Sequence, residues 1–350
     1  MKHIFYLHSN IQIICCFQTI KDLIEKDENV IIISNRGCSW HFFNESVIVY
    51  DFAKIFQGED RARVALNSFS AIKDYIRYRK YLYHLKRVVN SIIANECYYF
   101  YLPSMAISMT LAFARNKYCK GYYYVDEGSI AYLSNDSLKS FVPRRGIKNY
   151  VKSMLSIEEH YHYETTSKFK GTISISQDAF AWNLSKLKIV NPVNDFISEV
   201  KNDIPMFNDV ILTEHLKQNY DEIINCIDYT VKSILQDNPK SKIGIKIHPH
   251  AITYNREKTI NVQKYICEHY AGVVYLIPAE VSIEVMSLVF HPNLYSLFQV
   301  SSILLYALLF KSSESNLIVY DEGTVTLKNI TTRDEFDELL RRFTLKTVKG

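Results

Sequence analysis

Strand-like and helix-like segments alternate along most of the chain. The pattern starts with apolar runs of strand length at 3–7 and 30–34, which flank a segment with apolar residues at helical spacing at 11–26. Strands that alternate with helices are typical of βαβ units, in which successive strands lie parallel in one sheet. An apolar share of 48% and a charged share of 22% are ordinary for a globular protein. The sequence therefore predicts an α/β fold.

One polar stretch, at 134–205, interrupts the alternation before it resumes. A chain of 350 residues can form two hydrophobic cores of ordinary size. We therefore expect an amino-terminal domain over 1–205 and a carboxyl-terminal domain over 206–330. An amphipathic segment at 332–343 predicts a terminal helix within 331–350, with the amino-terminal domain as its expected packing partner.

Composition excludes several classes of protein. The formal charge of +4 is too small to imply nucleic-acid binding by itself. The seven cysteines form no CxxC pair, which favours reduced thiols over a disulfide framework or a zinc site. The longest apolar run, 303–310, is far shorter than the about 20 residues that a membrane span needs. We expect a cytoplasmic protein that binds no nucleic acid, with its oligomeric state left open.

Two short motifs each occur twice. Asp-Glu-Gly occupies 126–128 and 321–323, and His-Pro occupies 248–249 and 291–292. Asp-Glu-Gly after a strand is most often a turn in which glycine supplies a positive φ, and we interpret the copy at 321–323 in that way. The His-Pro copy at 291–292 follows an apolar helix that proline cannot continue, so His291 is interpreted as structural.

The first His-Pro copy follows a strand-like segment directly. Lys246 and His248 alternate with Ile245 and Ile247, so both polar side chains point to one face at the end of the strand. Pro249 then restricts the exit of the chain. A cation and an imidazole at the carboxyl edge of a sheet suit a phosphate, while a solvated strand end is the alternative.

Serines at predicted helix starts form a second group. Ser301 and Ser302 lie at a strand-to-helix junction, where hydroxyls and free backbone N–H groups can hold a phosphate. Ser282 and Glu284 lie at the start of a short helix, and a carboxylate there can bind both hydroxyls of a ribose. The alternative for the serine pair is an ordinary helix cap.

Four motifs in order resemble those of bacterial sialyltransferases with the GT-B fold. They are "VDEGS" at 125–129, "KIHPH" at 246–250, "IPAEVSIEVM" at 277–286 and "VSSILLYAL" at 300–308. The sequence is most similar to the lipooligosaccharide sialyltransferase group, glycosyltransferase family 52. Related patterns occur in the multifunctional and polysialic acid enzymes.

Two further segments extend the resemblance, which covers most of the chain except 134–205. "VILTEHL" at 210–216 resembles the strand that opens the family's carboxyl-terminal domain. Residues 9–12, Ser-Asn-Ile-Gln, stand where the group has Thr-Pro-Leu-Gln, and the proline is missing.

The resemblance implies two Rossmann-like domains that face a central cleft. The amino-terminal domain is expected to bind the acceptor and carry the general base, and the carboxyl-terminal domain to bind the CMP-sugar. It implies transfer of sialic acid from CMP-sialic acid to a glycan hydroxyl, with inversion and without a metal or other cofactor. Asp126 is implied as the general base with Glu127 as the alternative, and His248 as the group that holds or protonates the leaving phosphate. The remaining donor contacts are assigned to Lys246, Pro249, Thr213, Ser282, Glu284, Ser301, Ser302, Ser9 and Asn10.

Several alternatives remain open at the level of the sequence. The alternatives are CMP-Kdo as the donor, a polysialic acid as the product, and a capsule-assembly protein without turnover. The acceptor is expected to be a precursor of lipooligosaccharide, O-antigen or capsule.

A basic, tyrosine-rich segment at 73–87 raises the question of membrane contact. It is either a solvated helix face or a contact with anionic lipid of the inner membrane. Its cations are Lys73, Arg77, Arg79, Lys80, Lys86 and Arg87.

Overall fold

The computed structural model describes most of the chain and divides it into two compact units, Met1–Phe196 and Ile197–Gly350. The sequence prediction places the boundary nine residues later, after 205, in the same polar stretch. The described residues are 1–34, 47–56, 71–105, 107–133, 163–190, 196–197, 204–213, 216–248, 251–252, 255–310, 314–321 and 323–339.

The first unit contains a parallel sheet in the order β3-β2-β1-β4-β5-β6-β7. Its strands are β1 Lys2–Leu7, β2 Asn29–Ser34, β3 Ile48–Asp51, β4 Tyr98–Leu102, β5 Cys119–Val125, β6 Phe169–Ser174 and β7 Leu187–Ile189. Its helices are α1 Asn10–Glu25, α2 Phe52–Phe56, α3 Ala71–Ile93 and α4 Ser108–Ala114. The strands β1 and β2 are rich in apolar residues and almost entirely buried, as expected for a sheet covered on both faces.

The second unit contains a sheet in the order β10-β9-β8-β11-β12-β13, with only the last pair antiparallel. Its strands are β8 Asp209–Thr213, β9 Ile243–Ile247, β10 Val274–Leu276, β11 Asn293–Leu297, β12 Ser315–Asp321 and β13 Thr324–Ile330. Its helices are α5 Tyr220–Asp237, α6 Arg256–His269, α7 Ile283–Phe290, α8 Ser302–Leu309 and α9 at 333–339. The rest of the predicted terminal helix lies outside the described residues, and its packing partner stays a prediction.

The helix α5 illustrates how local sequence and packing agree. Its cap residue Asn219 accepts a hydrogen bond from the backbone of Glu222 at 2.8 Å, and the Glu222 carboxylate accepts one from the backbone of Asn219. This capping box satisfies backbone donors that a helix leaves free at its start. Ile223, Ile227 and Val231 recur at helical spacing and are fully buried in the core of the second unit.

Each sheet has one point at which the order of its strands reverses. In the first unit the chain builds outward from β1 to β2 and β3, and then continues on the other side with β4. In the second unit the corresponding pair is β8 and β11. Ligands of doubly wound sheets bind at the carboxyl ends of the strands beside such a point.

The predicted fold class is confirmed: two consecutive Rossmann-like α/β units are the architecture of the GT-B fold. Within the described residues, no helix is both long enough and apolar enough to cross a bilayer.

The second copies of both motifs have structural positions, as predicted. Asp321 pairs with Thr324 at the end of the antiparallel pair β12 and β13, and Gly323 has φ +83°. His291 ends α7 in the left-handed conformation, at the amino-terminal edge of the sheet beside β11.

Candidate active site

Asp126 follows β5 directly and is fully buried. One carboxylate oxygen accepts a hydrogen bond from the Gly128 backbone at 3.2 Å. The other accepts from the hydroxyls of Tyr132 at 2.6 Å and Ser174 at 2.7 Å. Three donors to a buried carboxylate fix the turn after β5, where Gly128 has φ +133°, a conformation that favours glycine.

Glu127 points away from these donors and keeps 9% of its side chain exposed. One carboxylate oxygen lies 3.5 Å from Nε2 of His8, which follows β1. The other accepts a long hydrogen bond, 3.5 Å, from the hydroxyl of Tyr163. Burial raises the pKa of Tyr163 well above its usual value, and the charges of Glu127 and Asp126 add to the rise. The raised pKa favours the protonated hydroxyl of Tyr163, which is the form that donates to Glu127.

The contact between His8 and Glu127 spans the switch point of the first sheet. The order β1-β4-β5 places β4 between the strands that carry the two residues. Ser9 and Asn10, which the resemblance assigns to the donor, lie immediately before α1 and at its first position, respectively. His8, Tyr132, Tyr163 and Ser174 were not predicted, although His8 and Ser174 are recognisable as polar residues at strand ends.

Thr213 and His248 lie at the carboxyl ends of the neighbouring strands β8 and β9. The backbone N–H of His248 donates to the Thr213 carbonyl at 3.0 Å, and Thr213 is buried. Thr213 also pairs in register with Leu297, the last residue of β11. Thr213 thus lies at the switch point of the second sheet with His248 beside it, whereas Pro249 lies outside the described residues.

The ammonium group of Lys246 is surrounded by backbone carbonyls. It donates to Pro278 at 2.5 Å, Ala279 at 2.9 Å and Val281 at 2.8 Å. Burial lowers the pKa of Lys246 to about 8, while the charges of Glu284 and Glu280 oppose the shift. The predicted phosphate contact of Lys246 would compete with three carbonyls that its hydrogen bonds already satisfy. These bonds position the segment leading into α7.

We expect Lys246→Met to loosen this region of the second unit. Removing the ammonium leaves buried carbonyls without a donor, which costs about 2–4 kcal/mol and corresponds to about 30- to 1,000-fold faster local hydrogen exchange. Hydrogen exchange of peptides covering β9 and α7 measures the effect. Lys264→Met is the matched control, because Lys264 is exposed and pairs only with Glu268 one turn away. Unchanged exchange in the Lys246 variant would refute this structural role.

Both predicted serine sites in the second unit are helix caps. The Ser282 hydroxyl accepts from the Val285 backbone at 3.2 Å and donates to the Glu284 carboxylate at 2.9 Å. Ser301 is buried, caps α8 and accepts from the Ile303 backbone at 3.4 Å. Ser302 is the first residue of α8, and its side chain lies outside the described part. The alternative interpretation of Ser301 as an ordinary helix cap is therefore correct. The capping hydroxyl uses an oxygen lone pair, so its hydrogen can still donate to a ligand.

No protein-family model matches the sequence, and no curated protein matches it. Solved structures with a similar fold include a UDP-GlcNAc 2-epimerase from Methanocaldococcus jannaschii, at 12% identity and a TM-score of 0.42 over 100% of both chains. The calicheamicin glycosyltransferase CalG4 is similar at 10% identity and a TM-score of 0.48, over 96% of this chain and 83% of that one. The Escherichia coli heptosyltransferase WaaC is similar at 11% identity and a TM-score of 0.37, over 90% and 88%.

Proposed function

We propose that this chain is a GT-B glycosyltransferase that moves sialic acid from CMP-sialic acid to a hydroxyl of a surface-glycan precursor. The observation that carries the proposal is the position of the predicted residues: Glu127 beside the switch point of the first sheet, and Thr213, His248 and Ser301 around that of the second. The resemblance of the four ordered motifs supports the choice of sialic acid. The reaction inverts the donor's β anomer and needs no metal.

Glu127 is the better proton acceptor of the two adjacent carboxylates. Its side chain is partly exposed, whereas Asp126 is fully buried and accepts three hydrogen bonds. A general base must reach the proton that it removes. In the proposed mechanism Glu127 therefore deprotonates the acceptor hydroxyl, and Asp126 is a positioning residue that fixes the turn carrying it.

The second unit binds the nucleotide in the proposed mechanism. His248 protonates or holds the departing phosphate, and the start of α8, with Ser301 and Ser302, donates to its oxygens. Glu284, oriented by Ser282, binds the ribose. CMP leaves as a monophosphate, whose charge an imidazole and helix-terminal donors can balance. Lys246 acts by fixing the segment before α7.

A donor screen tests this proposal. The protein is incubated with acceptor sugars and CMP-sialic acid, CMP-Kdo, UDP-GlcNAc or UDP-glucose, and nucleotide release is measured. We expect CMP release from CMP-sialic acid at least about 10-fold faster than release from any other donor, a difference of about 1.4 kcal/mol in transition-state binding. Preference for another donor would refute sialyl transfer, and no release from any donor would favour an assembly protein.

We also propose that α3 contacts an anionic membrane surface. Its cations Lys73, Arg77, Arg79, Lys80, Lys86 and Arg87 are all exposed. Ile76 and Tyr83 lie two turns apart among them and are 52% and 68% exposed. Tyr81, Leu85 and Val89 are buried. Exposed apolar side chains within a basic helix face are typical of interfacial helices.

Sedimentation with vesicles tests this contact. Each cation near an anionic surface contributes about 1 kcal/mol, so replacing Arg79, Lys80, Lys86 and Arg87 by serine should weaken binding by about 100-fold or more at low salt. The matched control replaces exposed cations of α6, Arg256 and Lys264, and should change little. Binding that is insensitive to salt, or equal on neutral vesicles, would refute an electrostatic contact.

A further inference from the structure

The amino-terminal end of α1 lies at the switch point of the first sheet, directly after β1. Ser9 precedes the 16-residue helix in an extended conformation, φ −139° and ψ 153°, and its side chain makes no capping hydrogen bond. The first turn contains no acidic residue. A helix leaves its first backbone N–H groups without intrahelical partners. The start of α1 therefore has donor capacity that its own side chains do not satisfy.

Gln12, in the first turn of α1, is fully buried. Its amide oxygen accepts a hydrogen bond from the His8 backbone at 2.8 Å, which fixes the orientation of the amide. The amide nitrogen has no hydrogen-bond partner among the described residues, and neither does the buried hydroxyl of Ser9. Leaving a buried donor unpaired costs about 1–3 kcal/mol, so such a group in a native protein calls for an explanation.

His8 connects this unpaired donor to the proposed base. Its backbone holds the Gln12 amide, and its ring lies 3.5 Å from the Glu127 carboxylate. His8 and Glu127 are the partly exposed members of the set, at 18% and 9% of their side chains. A ligand beside these two side chains would meet a carboxylate that accepts hydrogen bonds, next to two residues, Ser9 and Gln12, whose buried donors are unpaired within the described part of the chain.

The charges of the site select the class of ligand. Glu127 is a carboxylate with Asp126 next to it in sequence, and Nε2 of His8 lies 3.5 Å from the Glu127 carboxylate. The two adjacent carboxylates disfavour an anionic ligand, whereas they do not repel a neutral sugar. Adjacent hydroxyls of a sugar ring can accept from the Gln12 amide and donate to Glu127 at the same time.

We infer that the start of α1, with the Gln12 amide nitrogen and the Ser9 hydroxyl, binds neighbouring hydroxyls of the acceptor sugar and orients one of them toward Glu127. This inference rests on the proposed transfer to a hydroxyl. It assigns Ser9 to the acceptor, whereas the sequence resemblance grouped Ser9 and Asn10 with the donor. Gln12 was quoted in that resemblance but was not predicted as a site residue.

Kinetics of two Gln12 variants test the inference. Gln12→Glu keeps an oxygen for the His8 backbone and removes the donor, while Gln12→Met removes both. Either variant should raise the acceptor KM by about 10-fold or more, with less than about a two-fold change in the KM of CMP-sialic acid. The control Gln18→Met, on the same helix, removes a side chain whose hydrogen bond among the described residues is to Asp22 at 2.6 Å, and it should change neither constant. An unchanged acceptor KM, or an equal rise for the donor, would overturn the inference.

Sugar binding separates this inference from the proposed function. If the wild-type protein releases no CMP from CMP-sialic acid, the proposed function fails. Saturation-transfer NMR with neutral galactosides and no donor still tests the site, because it needs no turnover. Loss of the signal in a folded Gln12 variant supports the site, and an equal signal in wild type and variant refutes it.

Discussion

Glu127→Gln is expected to lower the rate of sialyl transfer by about 10²–10⁴-fold while the protein remains folded. The amide keeps the size of the side chain and its place beside His8 and Tyr163, but it cannot accept the proton of the acceptor hydroxyl. The measurement is kcat/KM as a function of pH, together with the melting temperature. In the variant, the acidic limb that reports ionisation of the base should disappear.

The matched comparison is Asp126→Asn, at the adjacent position. An amide that replaces this carboxylate loses charge-assisted hydrogen bonds from Tyr132, Ser174 and Gly128, at a cost of about 2–4 kcal/mol in stability. We therefore expect a lower melting temperature, with the acidic limb of the pH profile still present at temperatures where the variant is folded. The assignment would be reversed if Asp126→Asn lost that limb while Glu127→Gln retained it.

His248→Ala is expected to lower CMP release by about 10²–10⁴-fold, the usual contribution of a general acid. His248 follows β9 beside Thr213, where it can stabilise charge that develops on the departing phosphate. Stopped assays measure the rate of CMP release with and without acceptor. Both rates should fall, because CMP is the leaving group in both reactions.

His291→Ala is the control for this prediction. His291 also precedes a proline, but it ends α7 at the opposite edge of the sheet. Its replacement should leave CMP release within about two-fold of wild type, since surface substitutions away from a site change energies by about 0.5 kcal/mol or less. Equal losses in the two variants would show that His248 has no special part in the reaction.

The sequence predicted the fold well because most strands of the sheet centres are rich in apolar and aromatic residues and alternate with helical segments. It missed β13, and it missed β6 and β7, which lie in the stretch that was interpreted as irregular. The β6 segment, "FKGTIS", contains lysine, glycine, threonine and serine, so no periodicity marks it. Gly171 in β6 is needed for a tertiary reason: a Cβ there would lie 2.6 Å from the Lys186 carbonyl oxygen. Local sequence does not predict such a close approach between β6 and the segment that contains Lys186.

The sequence identified motifs at the candidate site, but it did not establish the role of each residue within them. The pair Asp126 and Glu127 was identified, but the choice between them depends on Ser174 and Tyr163, which are 48 and 36 residues distant in the chain. Period-two alternation correctly placed Lys246 on a strand, yet its carbonyl partners come from residues 278–281. Contacts between distant segments decide both roles.

NMR of a reaction between CMP-sialic acid and a panel of galactosides, in the presence of EDTA, tests the central claim most directly. The spectra follow the β-linked donor, free CMP and the anomeric configuration of any new glycoside. The proposed function predicts an α-linked sialoside and an equal amount of CMP, with neither product formed by Glu127→Gln at a comparable rate. An intact donor in the wild-type reaction, or a β-linked product, would contradict it.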